Sequence, residues 1–205
     1  YILKTVIEKQ YNQPLDELIQ QHFYNTLGTN LSTYKPLDKF KIHQLIPTEI
    51  DNYFRYDKVQ GYVHDMGAAM QGGVGGHAGL FSNANDVAKL MQLFLQKGKY
   101  GNKRYFSSKT FKRFNTCHYC NQNNRRGIGF DKPQLGDKGP TCGCLSMQSF
   151  GHSGFTGTYA WADPDKEIVY VFLANRTFPN SDANRLLKEN IRTEIQRLIY
   201  ESIIE

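Results

Sequence analysis

Apolar residues recur with helical spacing in four segments of the chain. The pattern predicts an opening helix with apolar positions 2, 3, 6 and 7, a helix from Pro14 to Gly28, a helix with Ser82 as its N-cap, and a last helix from about Asp182 to Glu205. Between them, Pro, Asn and Asp predict a loop over residues 29–63. Residues 115–149 contain all four cysteines and many Gly and Asn, which predicts an irregular insertion.

The strand pattern lies between the third and fourth predicted helices. FGHSGFTGTYAWADP, residues 150–164, has aromatic residues at strand spacing and runs into the turn Asp163-Pro164-Asp165. IVYVFL, residues 168–173, predicts a second strand. An antiparallel hairpin is therefore expected over about 149–175. Helices before and after it predict an α+β fold, with helices packed on an antiparallel sheet.

Composition restricts the class of protein. With 205 residues, 40% of them hydrophobic, the chain is long enough for a single domain with a core. The net charge is +6, but Lys and Arg are scattered and no binding motif is present, so we expect no nucleic-acid partner. No run reaches the ~18 apolar residues of a membrane span. The first helix begins without an initiator Met or a cap, so we expect the chain to be part of a longer protein.

Three stretches carry a resemblance to a known family: GGVGGHAGLFSNANDVAKLMQLFL, RRGIGFDKP and FGHSGFTGTYAWADPDKEIVYVFLANR. Together they resemble the C-terminal half of serine hydrolases of the β-lactamase and penicillin-binding-protein superfamily. The most similar branch is the class-C-like or esterase-like one found in cell-envelope proteins of Bacteroides-type bacteria. The resemblance implies a partial β-lactamase/transpeptidase-like domain.

The superfamily uses the Ser of an S-x-x-K motif as nucleophile, a second S-x-N or Y-x-N motif, and a K-T-G motif on a strand beside the site. His152-Ser153-Gly154 matches the K-T-G position. The resemblance thus implies catalytic roles for His152 and Ser153 and a substrate-binding role for Gly154 and its neighbour Phe155. His in place of Lys favours an esterase, peptidase or amidase over β-lactam hydrolysis. His77, in the Gly-rich stretch, is expected near the cleft, either shaping it or as a satisfied loop histidine.

Three strings imitate catalytic motifs of serine hydrolases without the structural context that those motifs need. Ser32-Thr33-Tyr34-Lys35 spells S-x-x-K, but Pro36 disfavours helical geometry at Lys35. Tyr119-Cys120-Asn121 spells Y-x-N inside the cysteine segment. Residues 151–155 nearly spell the G-x-S-x-G elbow of α/β-hydrolases, which needs a following helix. In the family that the sequence resembles, both true motifs precede the residue matching Tyr1. The resemblance therefore implies a nucleophile before Tyr1 and no acyl transfer by this chain alone. The alternative is a non-catalytic member of the fold that binds cell-wall or peptide ligands.

The four cysteines, Cys117, Cys120, Cys142 and Cys144, leave three states open: disulfides, a structural zinc site or free thiols. The envelope location implied by the resemblance favours disulfides, and two bridges across the gap are the natural pairing. No other cofactor is expected. The implied partner is a small-molecule or peptidoglycan-like substrate in the periplasm, envelope or extracellular space. An exposed sheet edge, left by strands that the family draws from its N-terminal part, predicts self-association.

Overall fold

The structure, a computed structural model, describes residues 1–134, 139–182 and 184–203. The chain divides into two compact units, residues 1–86 with 175–183, and residues 87–174 with 184–205. The expectation of a single domain stays a prediction. Antiparallel strands and helices alternate along the described residues, so the predicted α+β class is confirmed.

The helices are α1 (Ile2–Tyr11), α2 (Leu15–Ile19), α3 (Asn25–Leu27), α4 (Met66–Met70), α5 (Ala84–Leu95), α6 (Ser108–Asn115), α7 (Arg185–Lys188) and α8 (Ile191–Glu201). A π-helical turn, Gln20–Tyr24, joins α2 to α3, and 3-10 turns occupy Pro36–Asp38, Ile42–Gln44 and Cys120–Gln122. The strands are β1 (Pro47–Asp51), β2 (Asp57–Gln60), β3 (Lys99–Tyr100), β4 (Lys103–Arg104), β5 (Phe150–Ser153), β6 (Tyr159–Asp163) and β7 (Ile168–Phe172).

The predicted helices are present, with corrected details. The second ends at Gly28 in the left-handed region, as expected, but Pro14 is its N-cap rather than its first helical residue. The α5 helix is capped by Asn83, whose side chain accepts the Asp86 N–H, and not by Ser82. The last helix is broken into α7 and α8 because Asn190 takes a left-handed conformation between them. Its predicted end at Glu205 lies outside the described residues.

The prediction of a loop over residues 29–63 is wrong in part, because β1 and β2 form an antiparallel hairpin there. The inward positions of β1 carry Glu49 and Asp51 instead of apolar residues, and both are buried. Arg55 lies between the two strands and bonds Glu49 at 3.0 Å and Asp51 at 2.9 Å. Alternation of apolar and polar residues therefore gives no strand signal where a buried ion pair replaces an apolar face.

The predicted two-strand hairpin over 149–175 is a three-stranded antiparallel meander in the order β5-β6-β7. The expected turn at Asp163-Pro164-Asp165 is present. The stretch that was expected as one strand bends once more, at residues 154–158, where Gly157 has a positive φ of 104° and its N–H donates to the Gly154 carbonyl at 3.0 Å. Glycine makes this turn without the cost of a Cβ in that conformation.

Side chains of the meander enter two separate apolar clusters, which its alternating pleat sends to opposite faces. Phe150 and Ala162 pack with Met91 of α5 and Phe111 of α6. Tyr159, Trp161 and Tyr170 pack with Leu145 and, from α8, with Ile199 and Tyr200. Both faces of the sheet are thus covered by helices, and the sheet is held as a rigid platform.

Gly151 of β5 lies where two chain segments approach most closely. Its N–H and C=O exchange hydrogen bonds with Asp131 at 3.2 and 2.8 Å, while its partner in β6 is Trp161. A Cβ at Gly151 would collide with the Ala160 carbonyl oxygen and the Trp161 indole. The glycine is therefore required by the close approach of its neighbours.

Gly151→Ala should lower the free energy of unfolding by about 2 kcal/mol or more, because overpacking against backbone and a buried ring has no cheap relief. Gly→Ala in an unhindered strand would instead be mildly stabilising. Chemical denaturation measures the difference. Gly76→Ala is the matched control, since a Cβ there meets nothing within 4 Å, and its effect should stay within about 0.5 kcal/mol. An equally tolerated Gly151→Ala contradicts the packing.

Asp163, at the end of β6, ties the sheet to α8. It accepts the Ser146 N–H at 3.0 Å, the Ser146 hydroxyl at 2.6 Å and the Tyr200 hydroxyl at 2.8 Å. Burial alone would raise the pKa of this carboxyl, but these hydrogen bonds, together with that from the Asp165 N–H, hold the pKa below its ordinary value. The ionised form is therefore the one that stabilises the fold.

Asp163→Asn should cost about 2 kcal/mol at pH 7, because the amide cannot accept all of these hydrogen bonds. A lowered folded pKa makes the contribution of Asp163 complete above the unfolded value of about 3.9, and it is lost as pH falls through the folded value. The gap in stability between parent and variant should therefore narrow below about pH 4. Asp165→Asn, at an exposed position, is the control; a gap that is independent of pH would contradict this role.

Candidate active site

The triplet His152-Ser153-Gly154 lies at the end of β5 and enters the turn to β6. His152 pairs with Ala160 and Ser153 with Tyr159 in the antiparallel register. The His152 side chain is about half exposed, and Phe155, at the tip of the turn, is exposed. The Gly154 N–H closes the turn by donating to the Thr158 carbonyl at 2.8 Å. The sheet therefore presents consecutive polar groups at one accessible end.

The imidazole of His152 is held by a backbone contact. Its Nδ1 lies 2.8 Å from the Ser153 carbonyl oxygen. A carbonyl only accepts hydrogen bonds, so Nδ1 is the donor in this contact. Nε2 lies 4.0 Å from Asp131 Oδ2. This places the chemically active nitrogen of His152 beside a carboxylate.

Asp131 is a site residue that the sequence analysis missed. It is buried, and its carboxylate joins two cations or potential cations, Arg126 at 3.1 Å and His152 at 4.0 Å. Its backbone pairs with Gly151 and thereby extends the sheet beyond β5. RRGIGFDKP was one of the stretches carrying the resemblance, but a single bridge between residues 20 apart leaves no periodic pattern to detect.

His77 lies in the other unit, in the loop between α4 and α5. Its Nε2 bonds Asp65 Oδ1 at 2.9 Å, and its ring lies 4.9 Å from that of Tyr1. Burial acts to raise the pKa of Asp65, but the hydrogen bonds from the Ala68 N–H and from His77 outweigh it and lower the pKa. The same carboxylate caps α4. His77 is thus an oriented, half-exposed imidazole, and its role toward a substrate stays a prediction.

Comparison with known proteins assigns the family. The profile of the Beta-lactamase family matches residues 1–192. The chain belongs to the beta-lactamase family. A protein of Escherichia coli K12 named as a D-alanyl-D-alanine carboxypeptidase is 36% identical over 188 residues, which are 85% of this chain and 43% of that protein. A Salmonella enteritidis protein of the same name is 35% identical over 204 residues, 93% of this chain and 46% of its own length.

Solved structures agree with this assignment at the level of the fold. A beta-lactamase from Mycobacterium bovis superimposes with a TM-score of 0.57 at 15% identity, covering 91% of this chain and 60% of its own. Simvastatin synthase from Aspergillus terreus superimposes with a TM-score of 0.65 at 15% identity, covering 96% of this chain and 52% of its own. The predicted resemblance is confirmed, and the chain spans about half the length of the curated relatives it matches.

The imitation motifs do not have the geometry that the beta-lactamase family needs for its nucleophile. Ser32 is fully buried, and its hydroxyl bonds Ser82 at 2.8 Å and Asp86 at 3.3 Å. Lys35 has a left-handed backbone and pairs with Asp16 at 2.9 Å. Since S-x-x-K chemistry requires both side chains on one helical face, this string does not qualify. Ser153, on a strand followed by a turn and another strand, likewise lacks the helix of a nucleophile elbow.

The cysteine segment of this beta-lactamase family member is largely irregular, as predicted, but the expected pairing across the gap is wrong. Cys117 bonds Cys120, with Cα atoms 5.6 Å apart, and Cys142 bonds Cys144, with Cα atoms 5.3 Å apart. Each disulfide joins cysteines that are neighbours in sequence, and both Cα distances lie in the usual range for a disulfide. Within the part of the chain that is described, no group of three or more His, Cys, Asp or Glu is placed to hold a metal ion. The zinc alternative stays a prediction.

Peptide mapping distinguishes the two pairings. Trypsin cleaves at Arg125 and Arg126, between the two cysteine pairs. Non-reducing mass spectrometry should find two separate peptides, each with an internal disulfide, because each bridge links cysteines two or three residues apart. The reduced digest is the control. A single cross-linked peptide pair, or four free thiols with bound zinc by elemental analysis, would contradict this arrangement.

Proposed function

We propose that this chain forms one wall of the acyl-transfer site of a serine hydrolase of the carboxypeptidase or esterase type. The observation that carries the proposal is the polar His152-Ser153-Gly154 triplet at the end of β5, where His152 is exposed and its Nδ1 lies 2.8 Å from the Ser153 carbonyl oxygen. A strand edge with polar side chains and a glycine can pair with an extended substrate and donate to a developing oxyanion. The names of the curated relatives support the same reaction class.

In the proposed reaction a serine hydroxyl attacks the carbonyl carbon of a peptide or ester bond. The bond to the leaving amine or alcohol breaks, the leaving group takes a proton, and an acyl-enzyme ester remains. Water then hydrolyses that ester and releases the acid. His152 Nε2 and the Ser153 hydroxyl would hydrogen-bond the substrate or the proton-transferring hydroxyl, and Gly154 would let the substrate backbone lie against the strand.

We propose that the attacking serine is supplied from outside the residues described. Among these, no Ser-x-x-Lys string lies on a helix with both side chains on one face, and the curated relatives are about twice as long as the matched region. D-alanyl peptides of the cell wall are the proposed substrates, since the relatives are named as D-alanyl-D-alanine carboxypeptidases. The two disulfides support an envelope location. No described helix has the length and hydropathy to span a membrane.

A fluorescent penicillin tests whether the attacking serine lies outside this chain. This chain alone should remain unlabelled on a denaturing gel, while the full-length gene product should become covalently labelled and should release D-alanine from a diacylated Lys-D-Ala-D-Ala peptide. His152→Ala in the full-length product should lower kcat/KM about 100-fold, the usual scale for loss of a positioned acid or base. Ser153→Ala should act in the same direction.

His118→Ala is the matched control, because His118 is an exposed histidine of the same unit and its Nε2 lies 3.2 Å from the Arg113 carbonyl oxygen. It should leave kcat/KM unchanged. Labelling of a serine within this chain would overturn the proposal that the attacking serine is supplied from outside it. Tight peptide binding with no turnover by the full-length product would instead establish the non-catalytic alternative.

A further inference from the structure

A shallow groove of about 390 Å³ lies beside the sheet, in the unit that carries His152. Its lining is polar and rich in nitrogen donors, and its main members are Asn123, Asn124, Arg125, Arg126, Asp131 and Lys132. Three of these side chains are cationic and one is anionic. Because Asp131 is already paired with Arg126 at 3.1 Å, the described lining of the groove keeps an excess of positive charge.

One of the three cations, Lys132, is buried, where a positive charge is unfavourable. It is 5% exposed, and its Nζ donates to Asn115 Oδ1 at 2.8 Å and to the Gln148 carbonyl at 3.1 Å. Both acceptors are neutral, and no carboxylate of the described residues lies within ion-pair distance of Nζ. Burial, with a smaller effect of Arg125, lowers the pKa of Lys132 to about 8. Lys132 thus has no counter-ion among the residues described, and a buried cation in this state is stabilised by an anion that binds next to it.

Arg125 adds a second cation without a carboxylate partner among the described residues. Its Nε donates to the Pro133 carbonyl, which fixes the plane of the guanidinium at the groove wall. A guanidinium has five donors in a fork that matches the two oxygens of a carboxylate. Asn123 and Asn124 line the same groove.

The groove is continuous with the triplet through one carboxylate. Asp131 lines the groove, contacts Arg126 on one oxygen, and lies 4.0 Å from His152 Nε2 on the other. Asp131 therefore lies between the strand end and the cations of the groove. This separation fits a ligand with an anionic group set apart from its reacting bond.

We propose that the groove binds a second carboxylate of the substrate, distinct from any group bound at the triplet. The identity of the ligand as a substrate rests on the proposed function. The negative charge expected of the ligand rests on the groove alone. Acyl donors that carry an acidic side chain or a free carboxylate several bonds from the scissile bond should be preferred over neutral ones. Arg125, Arg126 and Lys132 would be specificity-determining residues rather than catalytic ones.

Direct binding tests the groove without any turnover. Isotope-labelled protein is titrated with succinate, with neutral succinamide and with inorganic phosphate, and chemical shifts of the Arg side chains and of the Lys132 backbone amide are followed. Succinate should shift the groove signals and succinamide should not. Arg126→Gln and Lys132→Met should each weaken succinate binding about tenfold. Thermal unfolding by circular dichroism checks that both variants fold.

Arg185→Gln is the matched control, since it removes an exposed cation from the same unit and lowers the net charge equally. It should leave succinate binding unchanged. If Arg185→Gln weakens succinate binding equally, the effect comes from the net charge of the protein and the proposal is overturned. The absence of chemical-shift changes at the groove residues of the parent protein would also overturn it. Phosphate binding without succinate binding would also overturn it, in favour of a phosphate site. All of these results are independent of whether the full-length protein hydrolyses D-alanyl peptides.

Discussion

The pairing of Gly151 on both sides determines where the candidate site lies. A residue in an antiparallel ladder exchanges hydrogen bonds with one neighbouring strand only, and the opposite neighbour then approaches more closely. Gly151 bonds Asp131, so its pair with Trp161 is the close, non-bonded kind. The Trp161 indole occupies the volume that a side chain at Gly151 would need. One missing Cβ thus permits three chain segments to meet, and His152 and Asp131 lie next to one another as a result.

The rest of the meander makes that meeting point rigid. Apolar clusters on both faces bury Phe150 and Trp161, which flank Gly151, and Asp163 joins the far end of β6 to Tyr200 of α8. Preorganisation of this kind matters in acyl transfer, because a donor contributes most when it is already aimed at the place where charge develops. The polar end of the strand stays accessible while its apolar positions anchor it.

Sequence patterns predicted those elements whose stability comes from apolar burial. The helices at 2–11, 15–27 and 84–95 and the strands at 150–172 follow from periodicity and turn residues. The hairpin of β1 and β2 does not, because its buried positions hold Glu49 and Asp51 around Arg55, and a polar core has no apolar period. The role proposed for the triplet came from a family resemblance. The position of Asp131 depends on a single long-range bridge that no local pattern encodes.

The charges around Asp131 bear on the proposed match of His152 to the lysine of the family's strand motif. A lysine ammonium is charged near neutral pH and only donates hydrogen bonds, whereas an imidazole can donate through one nitrogen and accept through the other. Here the Ser153 carbonyl occupies Nδ1, and Asp131, already neutralised in part by Arg126, lies beside Nε2. In the proposed arrangement, Arg125, Arg126 and Lys132 supply positive charge in the neighbouring groove, and no lysine is needed on the strand. His152 and the groove cations would then be separate groups. The groove could change with the substrate while the hydrogen bonds of His152 stay the same.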